Sequence, residues 1–269
     1  MFTNSIQLKE RLLVNNVRTV SDTKRAFYGA HTRPISAIYR RVVEELMVEM
    51  HLLLVNVDFA YDSIFALGVI SVFDRFMAGY QPEADRPEIY TAIIKAVEGD
   101  PEQYRRDAQE VIAAGSAVPS IDAFKSLLEE AKSNGSDALK GNLHKVITNP
   151  KFKYSRLFAT GLYNVLEAID SASIQDKDKR EALLDELAET LGFNNDLLKK
   201  DVDLYRGNLE TMAQAQAVMQ DMVEAEKKKK AKREAEKQAR DEAKAKAAAE
   251  PTDTADTSVD GEKSETKAE

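Results

Sequence analysis

Between Ile35 and Val57 the apolar residues Ile35, Ile38, Tyr39, Val42, Leu46, Met50, Leu53, Leu54 and Val57 recur at i, i+3, i+4 and i+7. Arg40, Arg41, Glu44, Glu45 and Glu49 take most of the positions between them. That period predicts an amphipathic helix of roughly 20 residues that must bury one face against other elements. The next segment, Asp62 to Met77, is apolar around more of its circumference and reads as the central, most buried helix. At the chain start, Ser21 is a plausible N-cap for a short helix through Phe27 and Tyr28, and His31-Thr32-Arg33-Pro34 breaks it.

Further helices are predicted near 86–98, 102–114, 121–132, 137–148, 154–169 and 178–191. Gly99-Asp100-Pro101, Gly115 to Pro119, Asn134-Gly135-Ser136, Asn149-Pro150 and Gly192 punctuate them. No alternating run reads as a strand, and no repeat of fixed period occurs. Composition agrees: 11 Gly and 7 Pro in 269 residues are few for an irregular chain. The fold class is therefore all-α, a multi-helix bundle over 1–200 followed by a long C-terminal helix over 195–250.

That last helix changes character along its length. Val202, Tyr205, Leu209, Met212, Gln216, Met219 and Val223 alternate spacings of 3 and 4, a short coiled-coil seam. Docking on its own bundle and pairing with another chain remain equally open readings of it. Past Val223 the stripe ends, and Lys, Glu and Ala dominate an exposed helix with i,i+4 pairs such as Glu224–Lys228. Residues 251–269 are polar and acidic without apolar anchors and should be disordered.

Charge is unevenly placed. The formal net charge of −8 divides into −7 for residues 1–223 and −1 for the charge-dense remainder. An acidic balance argues against general nucleic-acid binding. Lys227 to Lys230 reads as a solvated helix face, with weak contact to anionic lipid as the other reading. Arg18, Lys24, Arg25, Arg33, Arg40 and Arg41 form a basic region in this acidic body. They either pair with acidic faces of the same chain or offer a docking surface to an acidic partner. The candidate partner-binding residues are thus Lys24, Arg25, Arg33, Arg40 and Arg41, with Leu209, Met212 and Met219 of the seam.

Catalytic and cofactor motifs are missing from the sequence. With no Cys there is no thiolate metal site, disulfide or cysteine nucleophile. None of His31, His51 and His144 has a glutamate three positions before it, as a di-iron bundle needs. His51 reads as a partly buried, hydrogen-bonded histidine. No phosphate-binding glycine loop or nucleophile elbow is present. The expectation is a binding protein without cofactor, metal site or catalytic residue. The most apolar run, Ser63 to Phe73, is about half the length a bilayer requires. Met1 to Asn16 lacks the apolar core of a signal peptide.

Four blocks go further. VRTVSDTKRAFYGAHTRPISAIYRRVVEELMVEMHLLLVN (Val17 to Asn56) and FAYDSIFALGVISVFDRFMAGY (Phe59 to Tyr80) come first, then DPEQYRRDA (Asp100 to Ala108) and KFKYSRLFATGLYNVLE (Lys151 to Glu167). Together and in this order they closely resemble the thylakoid formation protein family, also described as a photosystem II biogenesis accessory family. The resemblance runs over about 1–222. It implies a helical protein with a C-terminal coiled-coil segment and no catalytic activity. It also implies a role in photosystem II assembly and repair and in thylakoid organisation, through stability of the membrane-bound FtsH proteases. Plastid members begin with a transit peptide, and this sequence starts close to the domain, which implies a cyanobacterial member peripheral on the cytoplasmic side of the thylakoid, with a soluble pool. The rival reading is a pigment- or lipid-handling helical protein, motivated by Phe59, Phe65, Phe73 and Phe76 beside Phe158.

Overall fold

The computed structural model describes residues 18–249, with side chains through 241. The expected tail over 251–269 and the reading of Met1 to Asn16 lie outside what is described. Eleven helices make up the described chain: α1 Val20–Ala30, α2 Ala37–Leu54, α3 Ser63–Phe76, α4 Arg86–Ala96, α5 Pro101–Ser116, α6 Ile121–Ala131, α7 Ala138–Thr148, α8 Arg156–Ile169, α9 Ser171–Gln175, α10 Lys177–Leu191 and α11 Asn195–Ala249. A 3₁₀ turn, Glu83–Asp85, leads into α4. The described residues contain no strand. The chain divides into two compact units after Gln214.

Helix α3 is the centre of the first unit. Ile64, Phe65, Ala66, Leu67, Gly68, Val69 and Ile70 are all buried, so two full turns have no solvent face. Asp62 starts the helix by accepting a 2.8 Å hydrogen bond from the Phe65 backbone N–H. Helix α8 packs on α3 more extensively than any other pair, and α5 lies against both. The α3–α8 approach is set by glycine. A Cβ on Gly68 would stand 1.8 Å from the Leu157 carbonyl oxygen, and one on Gly161 would stand 1.9 Å from the Ile64 carbonyl oxygen. The two backbones therefore touch, antiparallel, with residue 64 beside 161 and 68 beside 157. Around this contact, the Arg105 guanidinium reaches both Asp74 oxygens at 2.5 and 2.9 Å, tying α5 to α3. Arg75 ties α3 to Glu167 of α8 at 2.5 Å.

Helices α1, α2 and α4 pack together, with α2 against α3, and α7 packs against α5, α6 and α10. The cap of α1 is Thr19 and not Ser21. Asp22 at the third helical position accepts the Thr19 backbone N–H at 3.1 Å while Thr19 Oγ1 accepts the Asp22 N–H at 3.2 Å, a reciprocal box that Ser21 cannot form. Helix α2 ends at Leu54, so Val57 lies beyond the helix in which its spacing placed it. The fully buried positions of α2 include Val43 and Met47, which the i, i+3, i+4 reading passed over. Helix α10 stops where Gly192 takes φ +71°, a left-handed cap that L side chains rarely adopt.

Helix α11 begins on the body. Phe193, just before it, packs with Phe152 and Phe158 at centroid distances of 5.7 Å, and Tyr154 donates a 2.8 Å hydrogen bond to Asp201. Leu198, Val202, Tyr205 and Met212 are buried in the bundle core and Leu209 packs partly buried against it. In the second unit Val218, Met219, Met222 and Val223 are exposed. Beyond Val223 the ion pair within 4 Å among the described residues is Lys232–Glu236 at 3.9 Å, not the expected Glu224–Lys228.

Three outcomes follow from this packing. Gly→Ala inside a helix ordinarily stabilises by up to about 1 kcal/mol; Gly68→Ala and Gly161→Ala should instead each cost about 3 kcal/mol or more in urea melts, because backbone must move. A loss below about 1 kcal/mol would remove the close crossing. The Asp62 carboxyl is pushed up from 3.8 to about 6, burial outweighing the two backbone N–H groups that favour its charge. Its folded pKa lies above its unfolded one, so its contribution to stability is largest below 3.8 and is lost as pH rises through 6. Asp62→Asn, which keeps a capping oxygen, should therefore flatten the stability change between pH 4 and 7 by on the order of 1–2 kcal/mol relative to wild type. Met212→Ala should cost about 2 kcal/mol or more, and Met222→Ala should stay within about 0.5 kcal/mol. Equal effects would show that the two ends of the seam share one environment.

Candidate interaction surfaces

The basic residues of the early chain meet carboxylates of the same chain. Lys24 reaches Glu44 at 2.9 Å, Arg25 reaches Asp22 at 3.0 Å and Arg41 reaches Glu45 at 2.8 Å. Arg18 meets Glu98 at 2.6 Å. Arg33 bridges Asp85 at 3.0 Å and Glu88, fastening the segment after α1 to the start of α4. Arg40 forms no ion pair within 4 Å among the described residues, though its charge, with that of Lys24, acts on Glu44. So the structure brings Lys24, Arg40 and Arg41 near the outer face of α2 and sets Arg25 and Arg33 apart from them.

That face carries a groove of about 580 Å³. Val48, Leu52 and Leu53 supply its apolar lining, Glu44, Glu45 and Glu49 its carboxylates, and Lys24 and Arg156 its cations. Helix spacing explains the grouping: 44, 45, 48, 49 and 52 differ by 1, 3 and 4 and fall on one side of α2. The Tyr28 hydroxyl donates to Glu44 at 2.6 Å. That hydrogen bond and the Lys24 ammonium hold the Glu44 carboxyl below its usual range. Burial and the same glutamate push the Tyr28 phenol up to about 12. Glu49 is held by Arg156 at 2.6 Å. Each carboxylate already has a cation, so a basic partner would exchange ion pairs here and would meet no unpaired charge.

The histidines serve the fold. His51 Nδ1 lies 2.9 Å from the Thr23 hydroxyl, His31 Nδ1 lies 2.8 Å from Glu88 and His144 Nδ1 lies 2.7 Å from the Ala131 carbonyl. No three His, Asp or Glu side chains among the described residues are grouped to hold a metal ion. The aromatic residues that motivated a pigment or lipid site fill the core: Phe65, Phe73 and Phe158 are buried, and Phe59 meets Phe65 edge-on at 5.0 Å. No single helix of the described chain is long and apolar enough to cross a membrane.

Of the seam residues, Leu209 and Met212 face the bundle, whereas Met219 is exposed with Val218, Met222 and Val223. A second exposed apolar group was missed in the sequence. Leu52, Leu54, Val55 and Val57 stand in solvent where α2 ends. The available signal was the pair of turn formers flanking Val57: Asn56 Oδ1 accepts the Asp58 backbone N–H at 3.0 Å, a local turn that competes with helix.

Residues 19–234 match the family model described as thylakoid formation protein. Protein Thf1 of Crocosphaera subtropica is 51% identical over 218 residues, covering 81% of this chain and 89% of that one. Protein Thf1 of Trichormus variabilis is 52% identical over 215 residues, covering 80% and 92%. A solved structure of Psb29 is 44% identical and superposes with a TM-score of 0.60 over 73% of this chain and 98% of that one. With a match of this length and identity, the chain belongs to the thylakoid formation protein family.

Proposed function

We propose that this protein is a non-enzymatic accessory factor for photosystem II biogenesis and repair, attached peripherally to the cytoplasmic face of the thylakoid and acting by binding and stabilising FtsH protease complexes. The observation that carries this reading is the family match over residues 19–234, with cyanobacterial relatives about half identical along most of their length. The arrangement of side chains supports a binding role. Lys24 and Arg41 stand with exchangeable ion pairs at an open groove on α2, the Arg40 charge acts on Glu44 beside them, and Met219 belongs to an exposed apolar group on α11. Leu209, Met212 and Arg33 act in this reading by holding the bundle that presents those surfaces, and Arg25, paired with Asp22 within α1, is exposed beside them.

The test is deletion of the gene in its cyanobacterial host, followed by recovery from high light and measurement of FtsH abundance. The expected outcome is slower recovery of photosystem II with a lower protease level, both restored by the full chain. Unchanged recovery with unchanged protease would contradict the proposal. A chain carrying Arg40→Glu and Arg41→Glu should restore the protease level only in part, while its thermal melting stays close to wild type, since both side chains are exposed.

A further inference from the structure

Four aliphatic side chains are exposed at the end of α2: Leu52 is 57% exposed, Leu54 36%, Val55 43% and Val57 96%. A lone exposed aliphatic residue is ordinary, but Leu52 and Val55 lie one helical turn apart and lead to Val57, with Leu54 on the other flank of buried Leu53. Val57 stands at its tip on the turn after the helix, with almost none of its surface covered. The neighbouring segment, 149–155, is basic on its outer side. Lys151 Nζ lies 3.8 Å from Asp58, which sets it beside Val57. Phe152 and Tyr154 pack against the core, while Lys151 and Lys153 are exposed. The nearby carboxylates are already occupied. Asp58 faces Lys151, which a phosphate would draw from it, Glu49 faces Arg156 at 2.6 Å, and Asp62 is buried; Lys153 forms no ion pair within 4 Å among the described residues.

We propose that this tip docks on an anionic lipid bilayer, with Val57 and Val55 entering the boundary between headgroups and acyl chains and Lys151 and Lys153 meeting lipid phosphates. The inference rests on the peripheral-membrane reading above and gives it a site. The chemistry favours a lipid surface over a protein: the patch is aliphatic, it protrudes, and its rim is lysine. Protein hot spots instead use Trp, Tyr and Arg seated in pockets. The acidity of the chain as a whole does not oppose contact at this point, because charges beyond a Debye length of about 8 Å are screened at physiological salt.

The chain has no Trp, so Val57→Trp introduces a single indole as reporter. On mixing with vesicles of equal parts phosphatidylcholine and phosphatidylglycerol, its emission should shift to shorter wavelength. With phosphatidylcholine alone it should stay as in buffer. Wild-type protein should float with the phosphatidylglycerol vesicles, less so as salt is raised. Val57→Asp should bind about tenfold more weakly, the loss expected for keeping one valine in water. Lys151→Glu with Lys153→Glu should weaken binding and reduce its salt dependence. All these side chains are exposed, so the variants should melt like wild type. If wild type floats but the indole does not shift and Val57→Asp binds equally, the site is wrong while peripheral attachment stands. If wild type floats with neither vesicle, direct lipid attachment and this site both fail, and the patch becomes a protein-docking surface.

Discussion

The backbone contact between Gly68 and Gly161 is the constraint on which the first unit depends. Without side chains there, α3 and α8 approach until a Cβ on either glycine would meet the carbonyl of the other helix. So close a crossing leaves no room for water or for rotation of one helix on the other, and it lets Ile64, Phe65, Leu157 and Phe158 bury completely on its flanks. Helix α5 then has one place to lie, against both partners. The Arg105–Asp74 fork and the Arg75–Glu167 pair fix the rotation of these helices at the edges of the contact, half exposed and therefore directional more than strong.

Because the centre is built from aliphatic and aromatic packing, the charged residues are free for the surface. The early cations answer acidic neighbours one by one, and the pairs mostly join elements: Arg33 joins the segment after α1 to α4, Lys24 joins α1 to α2, Arg156 joins α8 to α2. Among the described residues, two apolar groups stay exposed, the aliphatic tip at Val57 and the Met219–Met222 group on α11, and the groove on α2 offers ion pairs that a partner could exchange. The binding role proposed for this protein needs such places, and a rigid bundle to hold them.

Much of this was legible in the sequence, for a physical reason. Helical period survives in a single chain because each helix must bury a face, so α2, α3 and α8 stand out from their apolar spacing alone. The short α9 has too few residues to show a period and was missed. Where a helix stops is decided by competition among local hydrogen bonds, and the periodic reading carried Val57 into the core when the Asn56–Asp58 turn takes it out. The seam on α11 has the same spacing whether it packs inside or outside its own chain; Val202, Tyr205 and Met212 lie in the bundle, and nothing in their order distinguishes them from Met219. The Gly68–Gly161 contact was invisible for another reason. Each glycine looks like an ordinary weak point of its helix, and only the fold brings the two together.

Amide hydrogen exchange on the full chain tests the central claim most directly. If the glycine crossing is the last contact to open, amides over 64–70 and 159–166 should exchange slowest of all, at the rate set by global unfolding. Those of α1, of residues 52–58 and of 216–241 should exchange by local opening at lower free energy. Amides of α3 or α8 exchanging as fast as those of α1 would contradict the account, because the crossing would then be a contact that the bundle can lose while staying folded.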